Sequence, residues 1–158
     1  MTNPFPFTSG NILNASDLNA IGETESWTPN FLTGVTVGDG TVEGTYQRVN
    51  DFVIVQGRFV LGSTSAITGG VRTDLPVNAS ATFELSNGTI VQIVDTSANR
   101  YYRGSGRGSN VSSVNLHVLQ ADTAGNDCIY SNSFSSSRPM TWASGDRFEW
   151  LSIYRVGT

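Results

Sequence analysis

The chain has no lysine, a single cysteine (Cys128) and a single histidine (His117). It is also poor in charge: 14% of its residues are ionised acids or bases, against roughly 25% in ordinary soluble domains. Each scarcity excludes something. One cysteine permits neither an intrachain disulfide nor a cysteine-built zinc cage. One histidine leaves a single way to assemble a Ser-His-Asp or Cys-His arrangement, and no G-x-S-x-G elbow precedes a helical pattern. His117 itself lies in the alternating stretch VNLHVL and reads as a strand-surface residue. All nine basic residues are arginines, the net charge is −4 and the pI is near 4.7, a balance unsuited to a nucleic-acid footprint. No apolar run approaches the roughly eighteen residues of a membrane helix, and the N-terminus lacks the basic start and apolar stretch of a secretory signal. Synthesis in the cytosol, with no membrane insertion, is expected.

In place of charge the chain carries Ser, Thr, Asn and 17 glycines among its 158 residues. This composition disfavours helices and suits short strands joined by turns. The length allows one domain with one core.

Residues 1–10, MTNPFPFTSG, alternate proline with phenylalanine, which holds the backbone extended with rings projecting. Asn14, Asp17, Leu18 and Ile21, with Gly22 beyond, predict a short capped helix over 15–21. Together 1–22 read as an N-terminal arm and anchoring helix. Phe5, Phe7, Leu13, Leu18 and Ile21 are its expected attachment residues, being too many apolar side chains for a free tail.

From Trp27 the pattern turns to period two. Residues 31–37 and 41–49 flank Gly38-Asp39-Gly40 and predict a hairpin; Asn50-Asp51 then lead into 52–61, completing a three-strand meander. After a loop at 62–70, short strands are expected at 71–74, 79–85, 89–95, 99–103, 111–119, 127–130 and 147–156. The fold class that follows is all-β, an antiparallel β-sandwich or jelly-roll-like domain over 23–158. Val53, Val55, Phe59, Leu61, Phe148 and Trp150 are its expected core.

Chemistry is harder to find. Thirteen carboxylates could supply a glycosidase pair, yet Asp39, Asp51, Asp74, Asp95 and Asp146 fall at predicted turns, where capping the backbone is the ordinary role. The segment RYYRGSGRG groups Arg100, Arg103 and Arg107 with Tyr101 and Tyr102. It reads as a flexible loop, whose arginines and tyrosines could meet a surface ligand or a neighbouring subunit. Trp142, after Pro139 and Met140, is the tryptophan best placed for a sugar-stacking platform, although burial is the simpler reading. No catalytic residue, cofactor or metal site is expected.

The stretches SWTPNFLTGVTVGDGTVEGTYQRVNDFVIVQGRFVLG (26–62), STSAITGGVRTDLPV (63–77) and TWASGDRFEWLSIYRV (141–156) resemble β-domains of tail-fibre and related appendage proteins of tailed phages. ILNASDLNAI (12–21) is similar to an L-x-A-x-D-L-N segment near the start of such proteins, whereas 95–135 carry no likeness. The resemblance implies a homotrimeric β-knob on the virion, with capsid or tail proteins as partners and a host-surface glycan as an alternative ligand. With a start at Met1 and no heptads, the chain is expected to lack a fibre shaft. That favours a short appendage: a capsid-decorating or cement protein, a head fibre or a small tail knob.

Overall fold

In the computed structural model, residues 22–80, 88–121 and 129–156 are described. The predicted arm and helix, with Phe5, Phe7, Leu13, Leu18 and Ile21, lie outside the described residues, as does most of the strand expected at 79–85. The rest is all-β and antiparallel. Ten strands follow in chain order: β1 (Thr24–Ser26), β2 (Phe31–Thr36), β3 (Thr41–Val49), β4 (Phe52–Val60), β5 (Ala66–Asp74), β6 (Thr89–Asp95), β7 (Arg100–Asn110), β8 (Ser113–Ala121), β9 (Ile129–Ser133) and β10 (Arg147–Arg155).

They form one sheet in the order β1-β3-β4-β10-β6-β7-β8-β5-β2, with β9 added beside β8. The last strand is central: β10 pairs Phe148 with Phe59 of β4 on one side and with Ile93 of β6 on the other. The sheet must curl. β1 and β2 lie at opposite ends of this order, which laid flat would be roughly 38 Å apart at ordinary strand spacing. Only residues 27–30 join them, a link that spans at most about 18 Å. Curling brings Phe31 of β2 against Phe59, Phe148 and Trp150, with ring centroids 5.3, 5.8 and 6.2 Å away.

Alternation decides what the curl encloses. Val53, Val55, Phe59, Leu61, Phe148 and Trp150 are all buried as expected, joined by Val71, Val91, Ile93, Val114, Leu116, Phe134 and Tyr154. Burying side chains of this size contributes roughly 1.5–3 kcal/mol each.

Three expectations about the chain path are corrected. The first is the hairpin between 31–37 and 41–49. β2 pairs with β5, and β3 with β4 and β1, so the meander loses its first strand. Gly38-Asp39-Gly40 does turn the chain, closed by Gly40 N–H to Val37 O at 2.9 Å. The turn is held against the β4–β5 loop, where Asp39 Oδ1 accepts the Thr64 N–H and hydroxyl and Oδ2 accepts the Ser63 hydroxyl. Gly38, at φ +56°, packs so closely there that a Cβ would lie 2.5 Å from Thr64 Oγ1. The turn is thus a corner between the two ends of the sheet.

The second is the loop assigned to RYYRGSGRG, which is the continuous strand β7. Tyr102, Gly104 and Gly106 face inward, and the glycines are needed because neighbours press on them. A Cβ on Gly104 would meet His117 O at 2.2 Å, and one on Gly106 would meet Thr89 Cγ2 at 2.4 Å. The loop at 62–70 is likewise shorter than expected, since β5 begins at Ala66.

Candidate functional site

The outward face of β3, β4, β10, β6 and β7 carries a shallow trough of about 630 Å³. Its chemistry comes from one row of cross-strand neighbours, Glu43, Arg58, Glu149, Gln92 and Arg103, one from each strand. Alternation turns all five outward, because Phe59, Gly57, Phe148 and Trp150 take the inward positions beside them. Arg58 lies between two carboxylates, with Nη1 3.7 Å from Glu43 and Nε 3.4 Å from Glu149. Arg147 reaches Glu149 from the flank at 3.2 Å, and Arg103 donates to Gln92 Oε1 at 3.4 Å.

Glu43 and Glu149 are two carboxylates lining the same open trough, on strands separated by β4. Both lie within 4 Å of the same guanidinium, that of Arg58. Such a row can accept hydroxyl donors, and Arg58 and Arg103 can donate to oxygens.

Below the charged row the same face becomes apolar. Ile54 sits opposite Ile153, and Leu151 opposite Ile90. Phe52 lies opposite Val49 on one side, with the Arg155 guanidinium 5.9 Å from its ring centroid. Ile90 is 58% exposed, Phe52 48% and Ile153 43%. The apolar stripe therefore crosses β3, β4, β10 and β6 in water.

The residues singled out in the sequence separate. Tyr101, Arg103 and Arg107 point outward from β7, Arg100 is exposed at its start, and Tyr102 packs against the core. Only Arg103 lines the trough. Trp142 is no platform: its indole N–H donates to Ser135 O at 2.9 Å, and its ring packs on Phe134 and Phe148 at 5.7 and 6.1 Å. His117 faces outward on β8, and burial together with the nearby Arg107 charge lowers its pKa.

The turn aspartates behave as caps. Asp95 accepts the Ala98 N–H and Ser97 hydroxyl, Asp146 accepts Thr96 and Ala143 N–H groups, and Asp74 accepts the Asn30 N–H. Asp51 instead pairs with Arg155 at 3.3 Å. Among the described residues, no group of three or more His, Cys, Asp or Glu gathers as a metal site, and no helix is long and apolar enough to cross a membrane.

Glu43 and Arg58 were not singled out in the sequence, although counting outward from the Asn50-Asp51 turn sets them opposite each other. Glu149 and Gln92 had no such signal, because nothing local announces that β10 inserts between β4 and β6. No protein-family model, curated protein or solved structure matches the chain.

Proposed function

We propose that this chain is a structural virion protein of a tailed bacteriophage. It works as an oligomeric surface appendage, a capsid-decorating or cement protein, a head fibre or a short tail knob, attached through residues 1–22. The observation that carries the reading is the apolar stripe formed by Val49, Phe52, Ile54, Ile153, Leu151 and Ile90. Large apolar side chains aligned on one face of a polar protein mark a surface made for another protein. We assign copies of the same chain as the occupant: beside the stripe Arg58 and Arg147 together balance Glu43 and Glu149, leaving an apolar surface with a polar rim, the anatomy of a subunit interface. The phage-like stretches at 26–77 and 141–156 supply the virion and the trimer.

Within this reading the curled sheet serves as a sandwich-like or jelly-roll-like knob. One wall is β3-β4-β10-β6 and the other β7-β8-β5-β2, facing each other across Phe31, Phe59 and Phe148. Native mass spectrometry should find a trimer, and immunogold labelling of purified phage particles should decorate head or tail. A stable monomer together with unlabelled particles overturns the proposal.

A second reading is favoured by the trough itself. Its Glu43, Arg58, Glu149, Gln92 and Arg103 form a polar row able to hold sugar hydroxyls, as the receptor-recognition domain of a tail fibre would. A glycan array, repeated with Arg58→Ala, tests it: glycan binding that this substitution abolishes supports the reading, and an empty array removes it.

A further inference from the structure

At His117 the sheet forks. β8 pairs with β5 through Ser113–Leu116 and with β9 through His117–Ala121, so β5 and β9 separate at this point. Val71, Thr73, Val114, Leu116 and Val118 are buried, which turns Arg72, Asn115 and His117 to the outward face. Register then sets Arg72, Asn115 and Arg107 side by side in one row, and Ser105, His117 and Ser133 in the next. At ordinary strand spacing the two arginine Cα atoms are roughly 10 Å apart, with Asn115 between them.

The ground beside this cluster is open. Among the described residues, a Cβ on Gly69 would meet nothing within 4 Å, and one on Gly70 would meet only the Ser133 side chain, at 3.7 Å.

The cluster is also unneutralised. Arg58, Arg147 and Arg155 each lie within 4 Å of a carboxylate. Among the described residues, no ion pair or hydrogen bond engages the side chains of Arg72, Arg107, Asn115 or His117. Arg72 Nε is buried without an acceptor, a costly state for a donor on a charged group. Asp74, two residues along β5, accepts the Asn30 N–H at 2.8 Å instead of pairing with Arg72.

We infer that this fork is a binding site for an oxyanion, a carboxylate or phosphate group on a surface ligand, clamped by Arg72 and Arg107 and hydrogen-bonded by Asn115, His117 and Ser133. Planar guanidinium groups match carboxylate and phosphate oxygens better than any other side chain. A compact cationic notch on a chain of net charge −4 suits one anionic group rather than a polyanion track. The site stands independently of the virion reading.

His117, the only histidine, is its reporter. Imidazole NMR resonances are followed at pH 7 and low salt while sodium glucuronate, or inorganic phosphate, is added. The expected result is a saturable displacement by at least one probe. Binding should weaken about tenfold or more in Arg72→Gln/Arg107→Gln and stay unchanged in Arg155→Gln. Ser133→Asp, which tethers a carboxylate at the fork, should block it. Preference for glucuronate identifies an acidic saccharide and preference for phosphate a phosphorylated ligand. Absence of saturable displacement by both probes overturns the inference, as does wild-type affinity in the double variant. Should that variant fail to fold by circular dichroism, the wild-type titration and Ser133→Asp decide.

Discussion

The indole of Trp150 occupies the space that a side chain at position 57 would fill: a Cβ on Gly57 would lie 2.1 Å from Trp150 Cζ2. The two residues are cross-strand partners, and Trp27 packs against the same indole in a T-shaped arrangement with centroids 6.5 Å apart. Gly57→Ala therefore forces the indole to move inside a close-packed core, at a cost of about 1–3 kcal/mol. Gly69→Ala, with no described residue within 4 Å of the new methyl, should stay within about 0.5 kcal/mol of the parent. Urea midpoints of the two variants check the contrast.

Asp39 ties the corner after β2 to Ser63 and Thr64, and the hydrogen bond from the Thr64 N–H, followed by those from the two hydroxyls, holds its carboxyl well below the usual carboxylate range. A depressed pKa stabilises the folded state fully above the unfolded value of about 3.9. The contribution is lost as pH falls below that value toward the folded pKa. Asp39→Asn should lower the melting temperature at pH 7 and leave a shallower loss of stability between about pH 4 and pH 2, read by thermal melts across that window.

Tyr154 is fully buried and donates to Val77 O at 2.8 Å. Burial pushes its phenol well above the ordinary tyrosine range. Stability linked to this group is complete below about pH 10 and declines as pH rises toward the raised folded value. Alkaline titration followed by phenolate absorbance should show Tyr154 ionising only with unfolding. Tyr154→Phe should abolish that late step and cost about 1–2 kcal/mol, since Val77 O is left without its donor.

Ile54 and Ile153 oppose each other in the apolar stripe and are 37% and 43% exposed. Ile54→Glu/Ile153→Glu should leave the melting temperature of the monomer nearly unchanged and shift sedimentation from trimer to monomer. A trimer that persists in this variant places the subunit interface elsewhere.

Deleting residues 1–22 should leave circular dichroism of the β-domain intact and abolish incorporation into particles, measured by mass spectrometry of purified virions. Normal incorporation of the truncated chain contradicts attachment through Phe5, Phe7, Leu13, Leu18 and Ile21.

Alternation along 52–61 and 147–156 determined from sequence alone which side chains line the core, because period two leaves each strand only one way to face inward. The Asn50-Asp51 turn likewise set Glu43 against Arg58, a contact fixed by counting from the turn. Tertiary structure alone decided the rest. β10 enters between β4 and β6, placing Glu149 beside Arg58 and Gln92; β2 abandons β3 for β5, because Asp39 binds the β4–β5 loop. RYYRGSGRG becomes a strand because its glycines fit beneath Thr89 and the His117 carbonyl. Arg72 meets Arg107 and His117 at the fork because β5 pairs with β8, the second strand of the β7–β8 hairpin, a long-range pairing that no local signal announces.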